Sequence, residues 1–214
     1  DTQLTHELEK GNLITPPSRM TIPLSAYVNP SSVELHLGYH LQQFIYPSVV
    51  DAENCKVMLL HPELDVYKED TYPRLTEVTY WGTNGKGPGS YVLQPNKVYL
   101  AQTWEALSLS PWQVGIINGK SSLARLGLMI HITAGFVDPG FKGNITLEVV
   151  NLGELPMRVH VGMPIAQLVV EQLWSPAETP YDKIPTSKYQ GSVGVVGSQF
   201  YKNKEKYQSE TTHQ

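Results

Sequence analysis

Residues 119–151 read GKSSLARLGLMIHITAGFVDPGFKGNITLEVVN. This stretch combines charged and hydroxyl side chains of the kind found in functional sites with the sequence pattern of β-strands. A lysine stands beside two serines, an arginine follows, one acid lies in a Gly/Pro turn, and another lies inside an apolar strand pattern. Because burying an unpaired carboxylate is costly, lone acids are rarely placed in strands that are predicted to be core. The stretch therefore predicts a functional site that is carried by strands.

Short strands are predicted along most of the chain. In one early stretch, Val33, Leu35 and Leu37 alternate with Glu34 and His36, which is the period of a strand. The 214 residues fit one domain with a real core, and 17 Gly and 16 Pro favour strands joined by turns over a helix bundle. We therefore predict a mainly β fold of the sandwich or barrel kind. Further strands are expected near residues 91–94, 98–103, 112–117, 129–133, 144–150, 157–161 and 164–171.

Charge and cysteine content exclude several classes of protein. A net charge of −4 argues against a large nucleic-acid surface, which normally needs a strong basic excess. The single cysteine, Cys55, excludes an intramolecular disulfide. No apolar run approaches the ~20 residues needed to span a bilayer, and no signal-peptide pattern opens the chain. We therefore expect no nucleic-acid or membrane partner and a cytoplasmic location, in a bacterium or in a virus-infected host cell.

The two ends of the chain differ from its strand-rich middle. Residues 1–14 have the pattern of a short amphipathic helix, and the polar, turn-rich residues 67–90 favour a hairpin or surface excursion. From residue 186 the sequence is polar. The expected organisation is a single domain over residues 1–185 and a closing segment or inter-subunit arm over residues 186–214. A disordered terminus is the alternative for residues 202–214.

Glu148 is the candidate for proton transfer. In the predicted strand 145–151 the odd-numbered residues up to Val149 are apolar and share one face, whereas Thr146 and Glu148 share the other. If the apolar face is core, Glu148 points to a second, partly enclosed space, where a carboxyl group suits general acid/base work. The alternative interpretation is a solvent-facing glutamate on a strand.

A small anion site is the second candidate. The stretch 121–128 has helical composition, with Ser121 or Ser122 as its N-cap. Two hydroxyls together with Lys120 and Arg125 would form a cradle for an anion. The alternative is a capped helix with solvated cations. The spacing of a Walker loop is missing.

Asp138 and the histidines complete the candidates. Asp138 precedes Pro-Gly, so it is either a turn former or a group that holds a ribose hydroxyl or positions a water. His61 and Glu63 match the H-x-E half of the zinc deaminase signature, but the P-C-x-x-C half is absent. His131 alternates with isoleucines, which favours a structural role. We expect no zinc and no metal ligands from the protein.

Several ordered motifs lie at family-like spacing and together span nearly the whole chain. They are residues 29–38 (NPSSVELHLG), 119–128, 133–151, 162–168 (GMPIAQL) and 187–191 (SKYQG). In these motifs the sequence resembles the dCTP deaminases, which are relatives of the trimeric dUTPases. The resemblance implies a distorted β-barrel or jelly-roll-like, dUTPase-type fold with a few short helices. It also implies a homotrimer with sites at the subunit interfaces.

The resemblance implies a role for each candidate residue. Glu148 matches the catalytic glutamate, which activates the water that attacks C4 of cytosine and carries protons to the leaving ammonia. Ser121 and Arg125 match residues that help to hold this water, and Asp138 matches the residue beside the deoxyribose. The remaining substrate-binding positions are expected to be Lys120, Ser122, Thr133, Ala134, Thr146, Tyr181, Lys188 and Ser192.

The implied activity is hydrolytic deamination of dCTP in the supply of dUMP and dTTP, with Mg²⁺ bound through the triphosphate. Gly135 and Phe136 resemble the dUMP-forming members, in which Asp138 would position a second water for hydrolysis of dUTP to dUMP and pyrophosphate. The alternatives are a deaminase that stops at dUTP, a dUTP diphosphatase, and a nucleotide-binding regulator without catalysis. dTTP is the inhibitor that the resemblance implies.

Two positions depart from the family pattern. Lys120 replaces the usual arginine and gives a point charge instead of a bidentate fork. Ser192 stands where many relatives have glutamine in the closing segment. Phosphate binding and closure of the tail are therefore the properties in which this chain is expected to differ.

Overall fold

The computed structural model describes residues 6, 13–15, 27–46, 48–51, 56–59, 63–78 and 89–204, with only the backbone at 48–51 and 56–59. Its contacts divide the chain into two units. The first comprises Asp1–Gln42 and Glu77–Val196, and the second comprises Gln43–Thr76 and Gly197–Gln214. Most of the helix predicted over residues 1–14 lies outside the described residues, as do residues 79–88. The predicted boundary between residues 185 and 186 stays a prediction.

Strands dominate the described part of the chain. They are β1 (Ile14–Thr15), β2 (Val33–Ile45), β3 (Ser48–Asp51), β4 (Lys56–Leu59), β5 (Arg74–Glu77), β6 (Ser90–Leu93), β7 (Val98–Ser108), β8 (Gln113–Gly119), β9 (Leu128–Met129), β10 (Phe136–Val137), β11 (Lys142–Asn151), β12 (Met157–His160) and β13 (Pro164–Gln172). The α-helix α1 comprises Ser121–Ala124, and 3-10 helices comprise Glu69–Thr71, Tyr181–Lys183 and Phe200–Asn203. The predicted mainly β fold with a few short helices is confirmed.

The main sheet of the first unit brings distant parts of the sequence together. Its strand order is β10-β8-β13-β2-β7-β11-β9. β13 pairs antiparallel with β2 and β8, and β11 pairs antiparallel with β7 and β9. β6 and β12 form a separate antiparallel pair. Each site side chain therefore depends on neighbours that are far away in the chain.

Alternate strand residues form the core of the first unit. Leu35 and Leu37 of β2 are fully buried, and so are Leu147 and Val149 of β11. Burying one such side chain contributes about 1.5–3 kcal/mol. Glu148 lies between two of these residues on the other face of β11 and is half-buried. The alternation predicted around Glu148 is seen at residues 147–149, whereas in β2 the alternate residue His36 is buried as well.

A buried histidine–glutamate pair joins β2 to β7. His36 and Glu105 are 2% and 0% exposed. The ring Nδ1 of His36 lies 2.7 Å from Glu105 Oε1, and the backbone N–H of His36 donates to Glu105 Oε2 over 2.9 Å. The Tyr27 ring meets the His36 ring edge-on at a centroid distance of 5.0 Å. Burial, and secondly the charge of Glu105, raises the pKa of Tyr27 to about 12.

The helix that follows β8 differs from the prediction. The sequence predicted a helix over residues 121–128 capped by Ser121 or Ser122, but α1 ends at Ala124. Its N-cap is Lys120, without a side-chain cap hydrogen bond. Lys120 keeps extended backbone angles (φ −94°, ψ 126°), so the helix begins where β8 ends rather than after a serine turn.

The strand after this helix is also shorter than predicted. Residues 129–133 were expected to be a strand, whereas β9 comprises only Leu128–Met129. β9 pairs with the last two residues of β11, at Asn151 and Val150. The residues after β9 are consequently released from the sheet and form a loop.

Aromatic side chains hold the second unit together. The rings of Tyr67 and Phe200 lie 5.6 Å apart, and those of Tyr72 and Tyr201 lie 5.8 Å apart. β3 and β4 form an antiparallel pair in the same unit. In the described part of the chain, no helix has the length and apolar character needed to cross a membrane.

Replacing Glu105 with leucine is expected to destabilise the protein by about 3 kcal/mol, because the buried ring and backbone N–H of His36 would both lose their partner. Urea denaturation followed by circular dichroism measures the change. Glu171→Leu, at an exposed position of β13, is the control and should stay within about 0.5 kcal/mol of the parent. The double variant His36→Leu/Glu105→Leu should recover part of the loss; a loss equal to the sum of the two single variants would contradict the pairing.

Candidate active site

The carboxylate of Glu148 is positioned by a backbone N–H donor. It lies on β11 directly opposite Leu100 of β7. Its Oε2 accepts a hydrogen bond from the backbone N–H of Ile132 at 3.2 Å. Thr146, on the same face, accepts a hydrogen bond from the backbone N–H of Val196 at 3.1 Å. A half-buried carboxylate with a fixed position can accept or donate a proton at a bound ligand.

The loop beside Glu148 contains a strained residue. Thr133 has φ +71°, and this left-handed conformation is an outlier for a β-branched side chain that costs about 1–3 kcal/mol. Thr133 and Ala134 are both exposed. The preceding residue, Ile132, is the one whose N–H is bound by Glu148. The two positions predicted to surround the base therefore lie next to the candidate catalytic carboxylate.

Three residues of the predicted anion cradle, Lys120, Ser121 and Ser122, line an open pocket of about 460 Å³ at the end of β8. Lys120 Nζ is hydrogen-bonded to Glu34 Oε1, and these side chains are 23% and 19% exposed. Because its ammonium group is already paired, Lys120 does not present a free charge to the pocket. The pocket is lined by Asn118, Gly119, Lys120, Ser121, Ser122, Ala124 and Gln167.

Arg125 takes a different position from the other cradle residues. It is the C-cap residue of α1, it is exposed, and it is not among the residues that line the pocket. Its backbone N–H donates to Ser121 O over 3.1 Å. Its guanidinium group therefore remains accessible to a ligand or to another chain.

Asp138 begins a tight turn. The backbone N–H of Phe141 donates to Asp138 O over 3.2 Å, and Gly140 has φ +82° after Pro139. Pro and Gly at the two central positions are the signature of a type II turn. Tyr181 packs on this turn, since its N–H donates to Pro139 O over 2.8 Å. The side chain of Asp138 is exposed, which leaves its carboxylate free of the turn.

Residues 187–196, called the C-terminal strap below, lie along the start of β11. Gly191 N–H donates to Lys142 O over 2.7 Å, and Asn144 N–H donates to Ser192 O over 2.9 Å. Tyr181 Oη accepts the backbone N–H groups of Lys188 and Tyr189 at 3.2 and 3.1 Å. This part of the predicted closing segment thus lies against β11, the strand that carries Glu148.

The predicted site residues form three groups within one chain. The first is the pocket group with Lys120, Ser121 and Ser122, and the second surrounds Glu148. The third joins the Asp138 turn to the C-terminal strap. In the described ranges, no hydrogen bond or ion pair links the pocket group to Glu148.

Sequence reasoning missed Glu34, Asn118 and Gln167. The strand alternation indicated that Glu34 lies off the apolar face, but its partner Lys120 is 86 positions away. Gln167 accepts a hydrogen bond from Ser32 Oγ at 3.2 Å and donates one to Gly119 O at 3.3 Å. Only the pairing of β2, β13 and β8 brings these side chains together.

Among the residues that the structure describes, no cluster of three or more His, Cys, Asp or Glu side chains is placed to hold a metal ion. The carboxylates of Glu34, Asp138 and Glu148 each belong to a different site group.

The structure is that of a mainly β protein whose polar site groups are arranged around one antiparallel sheet. The chain belongs to the dCTP deaminase-like family, whose match covers residues 1–173. The resemblance inferred from the motifs is thereby confirmed.

Two relatives align over most of their length. The chain is 34% identical over 209 residues to the dCTP deaminase of Natronomonas pharaonis, covering 96% of this chain and 95% of the relative. It is 40% identical over 177 residues to a dUMP-forming dCTP deaminase of Corynebacterium glutamicum, covering 82% of this chain and 84% of the relative.

One solved structure shares the fold. It is the 2′-deoxycytidine 5′-triphosphate deaminase of Agrobacterium tumefaciens, with a TM-score of 0.53 at 18% identity. The match covers 81% of this chain and 47% of the other, so this chain spans about half the length of that protein.

Gly143→Ala is expected to loosen the C-terminal strap. Gly143 has φ +139°, and a Cβ there would lie 2.7 Å from Ser192 N. We expect a loss of about 2 kcal/mol in the free energy of unfolding and faster proteolysis within residues 187–196. Gly191→Ala is the control, because Gly191 also has a positive φ (+71°) but nothing lies within 4 Å of its Cβ position. Equal proteolysis of the two variants would contradict this role of Gly143.

Proposed function

We propose that this protein hydrolyses the amino group of dCTP at C4 of cytosine and releases ammonia. The observation that carries the proposal is the half-buried carboxylate of Glu148, fixed on β11 beside the Ile132–Ala134 loop. Glu148 takes a proton from water as the water oxygen bonds to C4. It passes this proton to ring N3, then takes the proton of the new C4 hydroxyl and passes it to the amino group, so that C4=O forms, the C4–N bond breaks and ammonia leaves.

The pocket at the end of β8 is assigned to the triphosphate. Ser121 and Ser122 would supply hydroxyl donors, and Lys120 would supply a cation once it leaves Glu34, which suits phosphate oxygens. Arg125, exposed at the end of α1, is assigned to the attacking water together with Ser121. Thr133, Ala134 and Thr146 are assigned to the base.

A homotrimer with sites between its subunits accounts for the separation of these groups. Glu148 and the pocket group are not joined by a hydrogen bond or ion pair in the described part of one chain. A second copy would supply Ser121 and Arg125 to Glu148 of the first. Tyr181, Lys188 and Ser192, on or beside the C-terminal strap, would close over the bound nucleotide.

The proposed reaction continues to dUMP and pyrophosphate. The exposed carboxylate of Asp138 would position a second water for attack on the α-phosphate. The 40% identical relative is named as dUMP-forming, which favours this second step. The alternative is a deaminase that stops at dUTP, and the 34% identical relative, which aligns over 95% of its length, is named only as a dCTP deaminase.

Magnesium is expected to bind with the triphosphate. Mg²⁺ usually keeps several waters and binds through substrate phosphates, so the hydroxyl-lined pocket assigned to the triphosphate suits the ion without a ligand from the protein. When bound, the ion would neutralise charge on the leaving pyrophosphate. We further expect inhibition by dTTP and a cytoplasmic location.

Glu148→Gln is expected to abolish release of ammonia from dCTP while nucleotide still binds, because the amide keeps the shape of the side chain but cannot accept the proton. Ammonia release and calorimetric binding of dCTP measure the two effects. Glu171→Gln makes the same change at an exposed position and is the matched control. Unchanged turnover in Glu148→Gln would remove the proposed mechanism.

Chromatography of products separates the one-step from the two-step reaction. We expect dCTP with magnesium to give dUMP and pyrophosphate, and Asp138→Asn to give dUTP instead, because only the second water would lose its carboxylate. Accumulation of dUTP by the parent protein would establish the one-step enzyme. Cleavage of dUTP with dCTP untouched would leave a dUTP diphosphatase.

A further inference from the structure

Glu34 is a carboxylate at the edge of a pocket assigned to an anion. We propose that Glu34 is a positioning residue that restrains the ammonium group of Lys120 and competes with phosphate for it. This inference rests on the proposed function in one respect, which is that the ligand of the pocket is a polyphosphate.

Strand pairing places the Glu34 side chain at the pocket. Gln167 of β13 lies directly opposite Glu34 of β2 on one side and Asn118 of β8 on the other. Directly paired residues of antiparallel strands project from the same face of the sheet. Asn118 and Gln167 both line the pocket, so the carboxylate of Glu34 belongs to the same polar row.

The Lys120 side chain is held at both ends. Its Nζ is hydrogen-bonded to Glu34 Oε1, with both side chains more than three-quarters buried. Its backbone follows Gly119, whose carbonyl accepts a hydrogen bond from Gln167 Nε2 at 3.3 Å. The other end of the Gln167 amide is fixed by Ser32 Oγ at 3.2 Å. The ammonium group is therefore committed to the carboxylate when no phosphate is bound.

A polyphosphate must break this arrangement to gain the full charge of Lys120. The Glu34 carboxylate also repels phosphate oxygens that approach the same ammonium group. Among the lining residues, Lys120 carries the positive charge, since the others are neutral: Asn118, Gly119, Ser121, Ser122, Ala124 and Gln167. Removing the Glu34 charge should consequently strengthen polyphosphate binding rather than weaken it.

The test is calorimetric binding of inorganic tripolyphosphate to four forms of the full chain. We expect Glu34→Gln to bind about three- to tenfold more tightly than the parent, because one repulsive charge is lost and Lys120 is released. Lys120→Met should bind more weakly. In the Lys120→Met background, Glu34→Gln should tighten binding much less, since most of its effect is exerted through Lys120 and only the direct repulsion remains.

Other results would overturn the inference. Unchanged or weaker binding by Glu34→Gln would show that the carboxylate merely supports the fold or aims Lys120 at phosphate. Equal tightening in the Lys120→Met background would show a direct charge effect without Lys120. Glu178→Gln is the charge-matched control. Glu178 is exposed, and the N–H of the neighbouring Ala177 donates to Pro111 O, just before the start of β8. This is the end of β8 opposite to the pocket. Equal tightening there would also overturn the inference.

The outcome is separable from that of the proposed function. If the protein deaminates dCTP but Glu34→Gln does not tighten tripolyphosphate binding, only the inference about Glu34 fails. If dCTP is untouched but the binding pattern holds, the reaction fails and Glu34 keeps its role. Should Glu34→Gln not fold, as judged by circular dichroism, Glu34→Ala carries the same expectation.

Discussion

The pairing of β11 on both of its edges is the constraint on which the candidate site depends. β7 binds one edge along most of its length, and β9 binds the other edge near Asn151. Leu147 and Val149 anchor the strand in the core, so Glu148 between them cannot rotate away from its face. The sheet thus determines the face from which the Glu148 side chain projects, and the hydrogen bond from the N–H of Ile132 determines where its carboxylate points.

The same strand also organises the chain that follows it in sequence. Where β9 does not cover β11, the C-terminal strap lies against its first residues, and the pairing of β11 with β7 shifts register between Asn144 and Thr146. At this irregularity the extra residues lie on β7, where residues 103–105 face the single residue Ile145 of β11. Thr146 then bonds to Val196, so the strap ends beside the face that carries Glu148. The course of the C-terminal strap and the position of the carboxylate thus both depend on β11.

Features that depend only on residues near each other in the sequence could be predicted from the sequence pattern. The alternation around Glu148 gave the correct face because burial of every second side chain is a property of the strand alone. The serine cap was wrong because the extended backbone of Lys120, continuing β8, sets the start of α1. Two side-chain pairs could not be predicted because their partners are far apart in the sequence: 69 positions for His36–Glu105 and 86 for Glu34–Lys120. The left-handed conformation of Thr133 could not be predicted either, since it belongs to a loop that is fixed by Glu148.

Charge balance explains why Lys120 is paired within the chain whereas Arg125 is exposed. The described structure pairs the partly buried cation Lys120 with Glu34 and leaves Arg125 exposed outside the pocket. An unpaired, partly buried ammonium group would be costly in the absence of ligand, whereas an exposed guanidinium group stays hydrated at little cost. A pocket built this way remains nearly neutral until an anion arrives. If an anion binds there as proposed, it would replace Glu34 as the partner of Lys120, and the net gain would depend on how well the anion competes with Glu34.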